Sequence, residues 1–136
     1  MLRRLQGDAE GARALSEAAL AALTSQLGPD HDYTLTVAHN LASDLALLGD
    51  SHAARELGAQ TLQRMRTVLG VSHPVTLGCA ANLALDLRAD GKPEAAEQLA
   101  AEATAGMVEI LGADHPDISA ARLGQRINFD FDPPPI

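Results

Sequence analysis

Residues 27–50 read LGPDHDYTLTVAHNLASDLALLGD, and residues 69–92 read LGVSHPVTLGCAANLALDLRADGK. The two stretches share Leu27 with Leu69, Gly28 with Gly70, His31 with His73, Asn40 with Asn82, and Leu41 with Leu83. They also share Ala42 with Ala84, Asp44 with Asp86, Leu45 with Leu87, and Gly49 with Gly91. Every pair is 42 residues apart, and Leu111, Gly112 and His115 take the same step once more. Working outward, Gly7, Ala12, Leu15 and Leu23 fall in register with Gly49, Ala54, Leu57 and Met65, and these with Gly91, Ala96, Leu99 and Met107. This many matches on one ungapped period mark an internal repeat, and the repeat decides the architecture.

Each unit reads as two helices. In the first, Leu35, Ala38, Leu41, Ala42 and Leu45 fall on one face at helical spacing. Asp30 and Ser72 stand just before this helix as candidate caps, Pro74 suits a first turn, and Gly49 and Gly91 follow it where a left-handed residue ends a helix. In the second helix the inward stripe is Ala54, Leu57, Met65 and Val68, matched by Ala96, Leu99, Met107 and Ile110. The expected helices are 8–26, 32–48, 51–68, 74–90, 93–110 and 116–126. The expected fold is all-α: about six helices in a right-handed solenoid of antiparallel pairs over 1–126, with an extended proline-rich tail over 127–136.

Composition agrees. Of 136 residues, 26 are Ala and 21 are Leu, both good helix formers, whereas aromatics are 2%, which disfavours an all-β fold. The net charge of −8 disfavours binding to nucleic acid or to an anionic membrane surface, since both want clustered Lys and Arg. Cys79 is the sole cysteine, so no internal disulfide can form. No apolar run reaches the roughly 20 residues that span a bilayer. The expected location is the cytoplasm.

The array starts and stops in mid-unit. Residues 8–26 match a second helix without its first, so Leu15, Ala19 and Leu23 are expected to leave apolar surface open and to favour a homodimer. In the third unit Gly124, Gln125 and Arg126 replace the Asn, Leu and Ala of the earlier units. The tail then alternates Phe129 and Phe131 with Asp130 and Asp132 before three prolines, either capping the open end or contacting a partner.

A helix pair with Asn-Leu-Ala on its first helix, Gly at the turn and Glu-Ala early on its second resembles a tetratricopeptide repeat. The 42-residue step and the starts Gly70-Val71-Ser72-His73-Pro74 and Gly112-Ala113-Asp114-His115-Pro116 resemble the kinesin-light-chain-type branch, as does the turn Gly91-Lys92-Pro93-Glu94-Ala95-Ala96-Glu97. The bulky aromatics of that branch's turn are absent, so its cargo preference does not carry over. The tail is similar to the ends of actinobacterial repeat proteins that accompany small modified-peptide systems. The resemblance implies a non-enzymatic scaffold that holds extended peptides.

The residues themselves suggest no catalysis. Stacked repeats put equivalent positions about 10 Å apart, too far for His31, His73 and His115 to share a zinc ion with ligands near 2 Å. Each is expected to satisfy free amides at a helix start, and no metal or cofactor is expected. His39 and His52 read as exposed and without recruited neighbours. Cys79 has no base placed beside it, so small-residue packing or groove lining is expected. The candidate peptide-binding wall is the stripe Tyr33, Val37, Asn40 and Asp44, continued by Val75, Cys79, Asn82 and Asp86. Its Asn residues can each donate to and accept from a peptide backbone, or else bond within the stack. Its two Asp residues favour a basic ligand.

Overall fold

A computed structural model describes residues 9–112, 114–116, 118 and 126. It contains α1 (Ala9–Leu27), α2 (Asp32–Leu47), α3 (Ser51–Val68), α4 (Pro74–Ala89) and α5 (Pro93–Leu111), with no strand among the described residues. Consecutive helices pack as antiparallel neighbours, as short connections require. The expected boundaries hold to within a residue or two. Pro116 and Ile118 are helical, and the rest of the expected sixth helix falls largely outside the described residues. So do the tail and its Phe129 and Phe131.

The turns repeat with the sequence. At the end of α2, Gly49 has φ 83°, Gly49 N–H donates to Ala46 O at 3.0 Å and Asp50 N–H to Leu45 O at 2.9 Å. At the end of α4, Gly91 has φ 79°, and Gly91 and Lys92 make the same two bonds to Arg88 O and Leu87 O. These paired bonds satisfy the last free carbonyls, and the left-handed residue between them must be one without a Cβ. At the helix starts the histidines satisfy free amides as expected, and they rather than Asp30 and Ser72 are the caps. The caps of α2 and α4 are His31 and His73, whose Nδ1 atoms accept from Tyr33 N–H at 3.2 Å and Val75 N–H at 3.1 Å. An imidazole nitrogen can accept an amide proton as a carboxylate does, so Asp30 and Ser72, one residue further out, are not needed there.

The core runs through the helix pairs. Leu35, Ala38, Leu41 and Ala42 of α2 and Leu77, Ala80, Ala81, Leu83 and Ala84 of α4 are buried. From the second helices Ala54, Leu62, Met65, Ala96, Ala103 and Met107 face them, and Ile118 closes the cluster beyond α5. Val68 and Ile110, expected to face inward, are exposed. Leu69 and Leu111 pack against the core in their place, four residues after Met65 and Met107 rather than three. Two glycines allow close approach. A Cβ at Gly106 would lie 2.8 Å from Leu77 Cδ2, and one at Gly58 would lie 3.2 Å from Leu83 Cδ1.

Three further expectations are corrected. Leu23 is fully buried and Ala19 half-buried under α2, so of the supposedly open N-terminal face only Leu15 is strongly exposed. His39 is buried. His52 is exposed but has close neighbours: its Nε2 lies 2.8 Å from Glu56 and its Nδ1 3.4 Å from Asp90. Arg55 Nε donates to the same Asp90 oxygen at 2.6 Å and ties the start of α3 to the end of α4. That hydrogen bond holds the Asp90 carboxyl below its ordinary range, aided by the one from His52.

Candidate functional site

The first helices of successive units, α2 and α4, touch along the stack, and the second helices α3 and α5 do so less. The candidate wall lies on these first helices.

The wall is more covered than the sequence suggests. Tyr33 is exposed, and Asn40 and Val75 are half-buried. Val37, Asp44, Cys79, Asn82 and Asp86 are buried, so five of the eight candidate positions lie beneath the surface. Val37 and Cys79 are small or apolar and pack between helices. The Cys79 thiol points at Gly58 O, with Sγ 3.9 Å away. Burial, then the charge of Asp86, pushes the thiol up to about 12, against smaller opposing effects of Arg66 and Arg126. Such a thiol is packing rather than a nucleophile or groove lining. Asn82 Nδ2 donates to His39 Nε2 of the preceding first helix at 3.3 Å, so this Asn bonds within the stack.

The two Asp residues are buried, and each is matched. Ser16 Oγ of α1 donates to Asp44 Oδ2 at 2.8 Å. Asp86 meets a guanidinium: Arg126 Nη1 donates to Oδ1 at 2.7 Å and Nη2 to Oδ2 at 3.1 Å. Arg126 Nε also donates to Ser43 Oγ of α2 at 3.3 Å. A charged and a polar group from two successive first helices thus converge on one cation. The Asp86 side chain is 3% exposed and that of Arg126 18%, so the pair is dry at the carboxylate and open at its rim. Burial of Asp at both positions is possible because neither carboxylate is unpaired.

Ser16, Ser43 and Arg126 are the residues that the sequence pattern did not single out. The signal for Arg126 was present. It stands 42 residues after Ala84, where the repeat otherwise calls for a small core residue. A cation at a position that has been alanine twice points to a new contact. Ser16 and Ser43 carry no such signal. Among the described residues no group of three or more His, Cys, Asp or Glu side chains could hold a metal ion, and no helix is long and apolar enough to cross a membrane.

A family model described as tetratricopeptide repeat matches residues 1–67 and, in a second register, residues 36–107. No curated protein matches the sequence.

Proposed function

The chain belongs to the tetratricopeptide repeat family, and on that footing we propose that it is a non-enzymatic scaffold whose wall of first helices holds an extended, basic segment of a partner protein. One observation carries the reading: residues of two successive first helices, Ser43 of α2 and Asp86 of α4, already hold one basic side chain. A wall that pools side chains from neighbouring repeats suits a ligand laid across the repeats. Tyr33, Asn40 and Val75 supply its accessible surface. Val37, Asp44, Cys79 and Asn82 shape it from beneath. The 42-residue step supports a place in the kinesin-light-chain-type branch.

The test is to pan a displayed library of extended peptides, balanced between basic and acidic sequences, on the full chain and on its Asp86→Asn and Asn40→Ala variants. Basic sequences should be enriched on the parent chain, and both variants should weaken the selected peptides several-fold while keeping the helical signal. The enrichment should fade as salt rises, because screening removes the charge term. Identical sequences selected on the parent and on Asp86→Asn would overturn the reading.

A further inference from the structure

We infer that Asp86 and Ser43 form a guanidinium-selective pocket, filled in the free chain by its own Arg126, which an arginine-bearing segment of a partner protein enters by displacing that residue. The inference rests on the peptide-binding reading and names the side chain that such a partner must present.

The selectivity follows from the count of bonds. Arg126 uses three N–H groups at once: Nη1 and Nη2 reach the two oxygens of Asp86, and Nε reaches Ser43. The three acceptor atoms sit on two helices and match the fork of a planar guanidinium. A lysine ammonium is a single point and cannot bridge both carboxylate oxygens and the hydroxyl together.

Of the first two units, the second alone has this pocket. In the first unit Ser16 already donates to Asp44, and α1 buries that carboxylate completely. The residue 42 positions after Ser16 is Gly58, which offers no side-chain donor. A Cβ built there would lie 3.9 Å from Asp86 Oδ2, so the glycine faces the same carboxylate that the serine faces one repeat earlier. Loss of the hydroxyl leaves Asp86 open to a donor from elsewhere.

Arg126 fits the part of a stand-in rather than of a core member. It lies outside any helix and its side chain is the more exposed of the pair. It joins α2 to α4 from 40 residues beyond Asp86 through three hydrogen bonds. A ligand arginine presented along the wall would meet the same three acceptors.

The probe is a fluorescent peptide with the sequence of residues 119–132, SAARLGQRINFDFD, carrying arginine, lysine or citrulline at the place of Arg126. Binding is read by anisotropy on the full chain, on Arg126→Ala, and on Arg126→Ala with Asp86→Asn. Arg126→Ala should bind the arginine peptide at least tenfold more tightly than the parent chain. The lysine and citrulline peptides should bind at least tenfold more weakly, and the added Asp86→Asn should abolish the gain. No gain on Arg126→Ala, or equal binding of the lysine peptide, overturns the inference. Asp86-dependent binding of library peptides that Arg126→Ala leaves unchanged would keep the scaffold reading and sink this one. No Asp86-dependent binding of any peptide to either chain would sink both. If Arg126→Ala and Arg126→Gln both lose the helical signal, Arg126 is a structural staple and the inference falls.

Discussion

Asp44 and Asp86 occupy the same place on the first helices of successive units, and both are buried, yet they are stabilised in different ways. Asp44 accepts from the hydroxyl of Ser16, supplied by the helix just before it. Asp86 accepts from a guanidinium supplied by a residue far along the chain. The period therefore sets where a side chain stands and which face it shows. It does not set what that side chain meets. The two breaks in the period, Gly58 for Ser16 and Arg126 for Ala84, decide that, and they are where the candidate site arises.

The largest expected effect tests the part of the comparison that should be equal. Leu41 and Leu83 hold the same place in the two units and are 7% and 6% exposed. Truncating either to Ala removes buried methyl groups and leaves a cavity, at a cost of about 2–4 kcal/mol. The two costs should agree within about 0.5 kcal/mol if the units are packed alike. Urea melts followed by circular dichroism give both numbers, and a gap above 1.5 kcal/mol would show that the units differ in their cores as well as in their acidic positions.

The next effect should separate the units. Ser16→Ala removes one donor from the buried Asp44 carboxylate, and costs about 1–2 kcal/mol. Arg126→Ala removes an ion pair, and a pair broken inside a protein is ordinarily the more costly loss. Here, however, the arginine side chain is itself 18% exposed and stands at the open rim of the pair. Its removal lets water reach Asp86, so the cost should stay under about 1 kcal/mol. Neutral donor and cation thus exchange their usual order. Melts of the two variants at one pH and salt check it. A larger loss for Arg126→Ala would reverse the order and make the second unit the more rigid one.

How much of this was legible follows from range. The 42-step identities fixed the helix pairs, the Gly49 and Gly91 turns, and helix ends to within a residue or two, because each depends on residues near in sequence. The inward leucines of α2 were legible for the same reason. Val68 and Ile110 were misplaced because a stripe drawn at steps of three drifts around a helix, and Leu69 and Leu111 lie closer to the core side. That His31 and His73 satisfy amides at the helix starts was legible from their place just before each helix, and with the cap theirs, Asp30 and Ser72 do not hold it. The depth of Asp44, Cys79 and Asn82 was not legible, since it depends on how closely α1 and the neighbouring first helix sit against them. Arg126 meeting Asp86 is a contact across 40 residues that no local pattern carries.

The smallest expected effect reads the Asp86 environment through its neighbour. Cys79 is buried on the same helix as Asp86, seven residues before it, and the matching place in the first unit is Val37, which cannot titrate. In the folded chain the thiol is pushed from its ordinary 9.0 up to about 12, chiefly by burial and then by the Asp86 charge. A raised folded value means that the unfolded chain loses this proton first. The thiol's share of stability is therefore whole below about pH 9 and is lost as pH climbs from 9 towards 12. Cys79→Val gives the second unit the residue that the first already has, and the alkaline decline it removes, relative to the parent, is the thiol's share. Asp86→Asn should shrink that share, because the neighbouring negative charge is gone, but should leave most of it, because burial is the larger cause. Denaturant melts between pH 8 and 11 on the parent, each variant and the double variant measure the coupling. Equal declines in the parent and in Cys79→Val would remove the thiol from the account. A share left unchanged by Asp86→Asn would mean that the Asp86 charge, neutralised by Arg126, is not felt seven residues away, and the pair would then be the more completely balanced of the two acidic sites.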